Sequence, residues 1–332
     1  MPITPPVELA IAALRDKTLS AEALAFKIVV QCRRAVQLAT ADAATSARAE
    51  RADTPGLEEY LWSIWGWLTE VVSEDLSRHD FFADLLVAVK ATYNEDNDWI
   101  IWGEPFDWAN LPLWGSTVAE TMHSGLIPSY DEEGVLVPIQ PHDEKLGQYI
   151  LAGDPAPDTL EGRGWARART RWLNYNAFRA RLWALGVDED PYWAMVMVAG
   201  YLEPLSLPED VWRSKPGDAT FPRELGMETG MIWLRVAGAR MFICRKVWGR
   251  DSKIVTGAGR SGGTWKSVAG YHPDRWAHWK DIVRALVAGE KGEWRVNVMD
   301  AAKVSLTLSS LDLRVWLTFA VGYSRHWWPW RE

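Results

Sequence analysis

Tryptophan is the residue that most constrains the fold of this chain, because it occurs 22 times in 332 residues. Each indole can bury roughly 150–250 Å² of surface, and its N–H group needs a hydrogen-bond acceptor when the ring is buried. Most of these tryptophans fall in segments whose apolar side chains recur at the spacing of a helix. The sequence therefore predicts a mainly α-helical protein, an irregular multi-helix single body with a large aromatic core.

The composition and charge are typical of a globular protein that does not bind nucleic acid. Hydrophobic residues make up 48% of the chain and charged residues 24%, so the chain is well supplied for a core. The formal net charge is −8, which disfavours binding to polyanions and to anionic membrane surfaces. The longest uncharged apolar run, Tyr192 to Leu202, is too short to cross a bilayer. We therefore expect no nucleic-acid partner and no membrane partner.

The cysteine count indicates a reducing compartment. Cys32 and Cys244 are the only two cysteines, and both lie among apolar residues. Two cysteines cannot form a disulfide framework, and their neighbours favour small buried thiols. Residues 1–14 also lack the basic region and apolar run of a secretory signal peptide. A cytoplasmic location is the expectation.

Helical spacing and its interruptions divide the sequence into five segments. They are an N-terminal loop and Ala-rich helix (1–56), a first helical lobe (57–123), an irregular acidic and Pro-rich connection (124–164), a main helical lobe (165–300) and a C-terminal segment (301–332). The first lobe opens with an apolar stripe at helical spacing. That stripe consists of Leu57, Leu61, Ile64, Trp65, Leu68 and Val72.

Several local signals place helix boundaries in the main lobe. Gly186 predicts a helix end, and Asp190 followed by Pro191 predicts the start of the next helix. The eleven apolar residues after them predict a helix that is buried on all sides. Another helix is predicted over 231–248. Because a lone buried charge is prohibitive, at least one of its arginines is expected to be buried and paired. Those arginines are Arg235, Arg240 and Arg245.

The C-terminal segment has a different pattern. Apolar residues alternate with period two over 304–321, which predicts a β-hairpin that turns near Ser309 and Ser310. The last tryptophans form a cluster at His326 to Trp330. This cluster is expected to dock into the body of the protein. The alternative is self-association, since exposed aromatic patches mark interfaces.

An ordered set of landmarks resembles an uncharacterised family of fungal proteins that is defined only as a domain of unknown function. The landmarks span about residues 57–300. They are Trp108-x-x-Leu111-Pro112, the run Trp172 to Leu182, Tyr192-Trp193-Ala194, Trp233 with Gly238, and Arg275-Trp276-Ala277-His278-Trp279-Lys280. The resemblance implies a mostly α-helical fold and a fungal source. It implies no activity and assigns no functional residue.

The motifs that would carry cofactor or metal chemistry are incomplete. Gly257 to Gly262 matches the glycine pattern of dinucleotide-binding loops, but no clear strand precedes it and no helix follows it directly. The acidic run Asn94 to Asp98 lacks the second cluster that a diphosphate-binding magnesium site requires. His272 and His278 are six residues apart and fall on different helix faces. No cofactor and no metal are therefore expected.

The densest basic run of the chain lies at the start of the main lobe. Its arginines are Arg163, Arg167, Arg169, Arg171, Arg179 and Arg181. We expect them to pair with acids of the 124–164 connection, while their aliphatic stems cover apolar surface. Binding of an anionic ligand is the alternative.

Two amides within an aromatic helix, Asn174 and Asn176, need hydrogen-bond partners if they are buried. One interpretation is that they bond neighbouring backbone or loop groups. The other is that they orient a small molecule in a tryptophan-lined cavity. The walls and anchors of that hypothetical cavity are Trp172, Trp183, Trp193, Trp233 and Trp276, together with Arg240.

Two function classes remain open on this sequence. The first is a non-catalytic helical scaffold or partner-binding protein, which is favoured because no complete catalytic set is visible. The alternative is an enzyme or carrier for a hydrophobic or cationic small molecule, since indole faces attract cations. The sequence does not specify a reaction or a substrate.

Overall fold

The computed structural model describes residues 5–45, 53–92, 98–123, 128–130, 136–138, 160–208, 223–249, 259, 263–291 and 296–309. Most of these residues are helical, and the strands among them form short antiparallel pairs. The predicted mainly α-helical, multi-helix architecture is confirmed. The chain divides into two compact units, Met1–Ser124 and Gly125–Glu332. None of the described helices is long and apolar enough to cross a membrane.

The described part of the first unit consists of helices and one small strand pair. Its helices are α1 (Pro5–Arg15), α2 (Ala21–Thr45), α3 (Leu57–Glu74), α4 (His79–Lys90) and α5 (Trp114–His123). Strands β1 (Ile100–Ile101) and β2 (Glu104–Pro105) form an antiparallel hairpin, and short 3-10 turns cover Leu76–Arg78 and Trp108–Asn110. Helix α2 packs against α1 and α4, and α3 packs against α1, α2 and α5.

Helix α3 confirms the stripe that the spacing predicted. All six residues of that stripe, from Leu57 to Val72, are completely shielded from solvent. Trp65 in this stripe donates its indole N–H to the carbonyl oxygen of Pro112 at 2.8 Å and packs edge-on against Trp114. Burial of one face and one satisfied indole therefore place α3 in the core of the first unit.

The second unit is arranged around one long helix. Its elements are β3 (Pro128–Tyr130), β4 (Leu136–Pro138), α6 (Leu160–Leu185), α7 (Tyr192–Leu202), a 3-10 turn (Glu203–Ser206), α8 (Arg223–Ile243), β5 (Val247–Gly249), β6 (Ala269–Gly270), α9 (Pro273–Val287) and α10 (Val296–Ser309). Strand β3 pairs with β4, and β5 pairs with β6. Helix α8 packs against α6, α7 and α10, and α9 packs against α10.

The predicted helix boundaries of the second unit are confirmed at the local signals. Gly186 has φ of +75° at the end of α6, a left-handed conformation that glycine adopts without steric cost. The Asp190 carboxylate accepts the backbone N–H of Tyr192 at 3.0 Å where α7 begins. His272 caps α9 by accepting the N–H of Asp274 at 3.2 Å through Nδ1.

Two helices of this unit differ from the expectation. The helix predicted over 231–248 ends at Ile243, because Val247–Gly249 leaves it to pair with Ala269–Gly270. Helix α7 is not buried on all sides, since Gly200 is exposed and Trp193 is only half-buried. One face of the helix packs against α8, and the apolar residues beside that face are half-buried.

The hairpin predicted over 304–321 is wrong in its first arm. Residues 304–309 belong to helix α10, and 310–321 lie outside the described residues. Val298, Ala302 and Ser305 are buried at spacings of four and three, and this stripe is helical. The Ser305 hydroxyl lies 3.2 Å from the carbonyl oxygen of Met231, so α10 is fixed to α8. Tertiary packing of that stripe overrides the period-two alternation.

Candidate functional site

Asn176 is a structural bridge between two helices of the second unit. It is fully buried on α6 and donates Nδ2–H to the carbonyl oxygen of Trp172 at 3.0 Å. Its Oδ1 accepts the indole N–H of Trp233 on α8 at 3.0 Å. Trp172 in turn donates its indole N–H to the Thr229 hydroxyl at 2.8 Å. The amide of Asn176 is therefore satisfied by one neighbouring backbone carbonyl and one indole N–H group.

Ring contacts join Trp183 and Arg240 to this bridge. The ring centroid of Trp183 lies 6.4 Å from that of Trp233 and 5.9 Å from that of Tyr271. The guanidinium of Arg240, which is half-buried, lies 5.8 Å from the Trp183 ring centroid, within the range of a cation–π interaction. The structure thus brings together Trp172, Asn176, Trp183, Trp233 and Arg240, as a packed network.

The other three predicted site residues lie outside that network. Trp276 is buried in a neighbouring cluster with Phe242 and Trp279, at centroid distances of 6.2 and 6.3 Å. Trp193 is half-buried and packs edge-on against Tyr192, which precedes it. Asn174 is half-buried on α6. The sequence could not separate these positions from the network because all of them share the same aromatic context.

A buried ion pair that the sequence did not single out lies beside the Trp276 cluster. Arg275 and Glu203 are both fully buried, and Nε and Nη2 of the guanidinium contact the two carboxylate oxygens at 2.6 and 3.0 Å. Nη1 donates to the carbonyl oxygens of Gly259 and Gly270, and Trp279 donates its indole N–H to Glu203 at 2.8 Å. The arrangement is structural, because each guanidinium nitrogen has an acceptor.

Of the three arginines in the helix predicted over 231–248, at least one was expected to be buried and paired, and the three differ in exposure. Arg235 and Arg240 are half-buried, and burial lowers the pKa of the Arg235 guanidinium. Arg245 is exposed and donates to the carbonyl oxygens of Phe242 and Cys244. Arg275, which is fully buried, lies outside this helix, and its surroundings carried no charge pattern that would have indicated it.

The glycine motif and the histidines also have structural roles where they are described. A side chain at Gly259 would collide with the carbonyl oxygen of Ala269, so the position requires glycine. The ring of His278 stacks on Trp265 at 6.2 Å. Among the described residues, no group of three histidine, cysteine, aspartate or glutamate side chains could hold a metal ion. The acidic run lies outside the described residues except for Asp98, and so does the cluster His326 to Trp330.

Arg179 is the buried cation of the second unit that keeps open hydrogen-bonding capacity. It is 2% exposed, and its Nη2 contacts the Asp188 carboxylate at 2.7 Å. Its Nε and Nη1 are shielded from solvent and lack a hydrogen-bond partner. The expected pairing with the 124–164 connection is wrong for Arg179 and for Arg169, which pairs with Glu228 on α8. Folding brings acids from within the helical body to these arginines instead.

The first unit contains a pair of tryptophans held by one carboxylate, half-buried Trp62 and exposed Trp102, which sequence reasoning missed. Trp62 lies on α3, and Trp102 lies at the turn between β1 and β2. Their ring centroids are 6.4 Å apart and their planes meet at 49°. Oε1 of Glu58 accepts the indole N–H of Trp102 at 3.0 Å and that of Trp62 at a longer 3.4 Å. We call Glu58, Trp62 and Trp102 the indole pair site.

Trp102 has a backbone conformation that asparagine and glycine adopt more easily than tryptophan. Its φ is +54° and that of Gly103 is +78°, so the two-residue turn needs positive φ at both positions. Asparagine or glycine usually fills the first position, and a bulky residue costs roughly 1–2 kcal/mol there. The side chain is nevertheless 53% exposed, so core burial does not offset that cost. Strained backbone positions of this kind cluster at active sites, ligand clamps and switch regions.

The strained turn is held by the segment that leads into α3. Asp53 accepts the backbone N–H of Gly103 at 2.9 Å through Oδ1. The N–H and carbonyl groups of Ile100 bond the hydroxyl and the N–H of Thr54, both at 2.8 Å. These contacts fix the position of Trp102 relative to Trp62. The sequence signal that could have indicated it is Gly103 directly after the apolar run Trp99 to Trp102, which places an aromatic residue at a turn.

Comparison with known families gives one match. A family model described as a protein of unknown function (DUF3632) matches residues 37–282. This match covers most of the chain, so the chain belongs to that family, in agreement with the resemblance drawn from the landmarks. No curated protein and no solved structure matches the chain.

Proposed function

We propose that this member of the DUF3632 family is a non-catalytic binding protein whose recognition surface is the indole pair site of the first unit. The observation that carries the proposal is Trp102, a strained and half-exposed residue whose indole edge is anchored by Glu58. Hydrogen bonding through the ring edge fixes the orientation of the indole and leaves its faces available. Rigid aromatic side chains of this kind supply binding energy at low entropic cost.

Charge supports a recognition role for this surface. Glu58 and Asp53 both lie beside the turn, and each uses one carboxylate oxygen to orient it. No basic side chain among the described residues forms an ion pair with either carboxylate. Within the part of the chain that the structure describes, the surface therefore combines aromatic area with two carboxylates that form no ion pair, which suits a partner group that is apolar or cationic.

The test is a ligand panel read by the indole N–H resonances of protein made with isotope-labelled tryptophan. Hydrophobic and cationic compounds are titrated, and the Trp62 and Trp102 signals are assigned with Trp→Phe variants. Saturable shifts confined to these two signals are expected for at least one class of compound. A panel that leaves both signals unchanged contradicts the proposal.

A second candidate function is a carrier or enzyme with its site in the second unit. Arg179 favours it, because two buried guanidinium nitrogens without acceptors would suit the carboxylate of a small molecule. The network of Trp172, Asn176 and Trp233 supports it less, because those polar groups already bond one another. The same titration discriminates the two, since this candidate requires shifts of the Trp183 and Trp233 signals instead.

A cytoplasmic location and a fungal source belong to the same proposal. The location is supported by the thiols of Cys32 and Cys244, which are not joined in a disulfide and of which the first is buried. The source is supported by the landmarks shared with the family. Self-association through His326 to Trp330 stays a prediction, which deletion of residues 326–332 followed by measurement of the oligomeric state would test.

A further inference from the structure

The two indoles of the indole pair site form a wedge that suits a compact cation. A cation within about 6 Å of an indole centroid is attracted by the negative face of the ring. The centroids of Trp62 and Trp102 are 6.4 Å apart and the planes meet at 49°, so the rings contact each other, and a cation seated beside the pair on its solvent side can lie within that range of both centroids. Two faces with one carboxylate nearby are the elements from which aromatic cages for ammonium groups are built.

The hydrogen-bonding state of the carboxylate distinguishes among cations. Oε1 of Glu58 already accepts two indole N–H groups, so only Oε2 remains for a ligand. A guanidinium bonds best to two free carboxylate oxygens, as Arg275 does with Glu203 in the second unit. A primary ammonium is strongly hydrated and loses that hydration against indole faces. A methylated ammonium carries its charge with few or no N–H donors. It therefore needs neither two free carboxylate oxygens nor a hydration shell.

We propose that the indole pair site binds a methylated ammonium group, such as the trimethylammonium head of a choline-like metabolite or of a trimethylated lysine. Trp62 and Trp102 contact the methyl groups with their faces. Glu58 supplies the negative charge and orients both rings. This inference rests on the proposed function and names the chemical class that the surface recognises.

Calorimetric titration of the full chain compares choline with its neutral isostere, in which a tert-butyl group replaces the trimethylammonium. The two compounds have nearly the same shape, so the difference in affinity measures the contribution of charge. Choline is expected to bind at least about tenfold more tightly, equivalent to ~1.4 kcal/mol. Methylguanidine and methylamine are expected to bind more weakly than choline.

Variants of two neighbouring glutamates locate the effect. Glu58→Gln keeps an oxygen that accepts the indole N–H groups but removes the charge, so it should abolish the preference for choline over the neutral isostere. Glu59→Gln removes a charge from the adjacent, exposed position of α3 and is expected to leave that preference unchanged. Equal loss in both variants would overturn the inference, because it would show only the long-range field of the protein.

The outcomes separate this inference from the function on which it rests. If the neutral isostere binds as tightly as choline and shifts the Trp62 and Trp102 signals, the proposed binding function is supported but the inferred selectivity for a cation is wrong. If neither compound nor any member of the panel shifts those signals, the proposed function and the inferred ligand class are both contradicted. A peptide with one trimethyl-lysine, compared with the same peptide unmethylated and with free choline, shows whether the head group comes from a protein or a metabolite.

Discussion

In the buried network of the second unit, Trp172, Trp233 and Trp279 donate their indole N–H groups to enclosed acceptors, whereas Trp62 and Trp102 of the first unit share a half-buried carboxylate. An indole that is enclosed at its edge and on its faces stabilises the fold. An indole that is anchored at its edge and left open on its faces positions binding area. The same residue type therefore has two roles, which the hydrogen-bond partner and the exposure distinguish.

The largest effect is expected from breaking the buried pair of Glu203 and Arg275. Glu203→Leu leaves the guanidinium buried without its carboxylate and should lower the free energy of unfolding by about 3–5 kcal/mol. Denaturant titration measures it. Arg284 and Asp281 form an exposed pair for comparison, and Asp281→Leu should change stability by less than about 1 kcal/mol. Equal effects of the two variants would show that burial does not matter here.

The double variant Glu203→Leu with Arg275→Met sharpens this result. Removing both partners eliminates the uncompensated charge, so most of the stability lost in the single variant should return. A double variant that is less stable than Glu203→Leu would mean that other contacts of the arginine, to Gly259 and Gly270, dominate.

The next effect concerns the amide bridge. Asn176→Leu removes the acceptor of the Trp233 indole N–H and should cost about 1–3 kcal/mol, because a buried donor is left unsatisfied. In a double-mutant cycle with Trp233→Phe, the two changes should be clearly non-additive. Additive effects would contradict the bridge, and an unchanged melting temperature would reopen the cavity interpretation.

Two buried tryptophans of the first unit give a smaller, matched comparison. Trp65 donates its N–H to Pro112, while the buried Nε1 of Trp108 lacks a partner. Both are fully buried, so Phe replaces a similar ring at each position. Trp65→Phe is therefore expected to cost about 1 kcal/mol more than Trp108→Phe in thermal or denaturant unfolding. A larger loss of stability in Trp108→Phe than in Trp65→Phe would contradict the claim that the hydrogen bond of a buried indole N–H contributes to stability.

The smallest effect depends on pH. Burial raises the pKa of Tyr271, whose hydroxyl donates to the carbonyl oxygen of Pro191 at 2.9 Å. The folded state therefore keeps this proton at a pH where the unfolded state loses it, so stability is full below about pH 10 and falls as the pH rises above it. Tyr271→Phe should cost about 1 kcal/mol near neutral pH and should weaken the alkaline loss. A parallel alkaline decline in both proteins would exclude Tyr271 as its source.

Periodicity and local capping predicted much of the fold but could not predict its long-range pairs. The stripe from Leu57 to Val72, the end at Gly186 and the start at Asp190 depend on nearby residues, and local signals were enough for them. The strand at Val247–Gly249 and the packing of Ser305 depend on partners 20 or more residues away. The alternation in the last segment therefore predicted a strand where a helix forms. A helix with a narrow buried stripe can also have apolar residues at every second position.

The candidate site shows the same limit. Composition indicated that indoles matter, and the cavity hypothesis grouped Trp172, Asn176 and Trp233, which hydrogen bonds join in the structure. The indole pair site depends on contact between residues 58, 62 and 102, and on a positive φ at Trp102. Neither property is visible in the spacing of the chain, because hydrophobic periodicity describes one element at a time.

The most direct test is the single variant Trp102→Asn, with the melting temperature and the choline affinity measured on the same preparation. Asparagine suits the positive φ of the turn, so the melting temperature should stay the same or rise, while choline binding is lost. A fall of several degrees with choline binding intact would mean that Trp102 serves the fold and that the indole pair site is not a recognition surface.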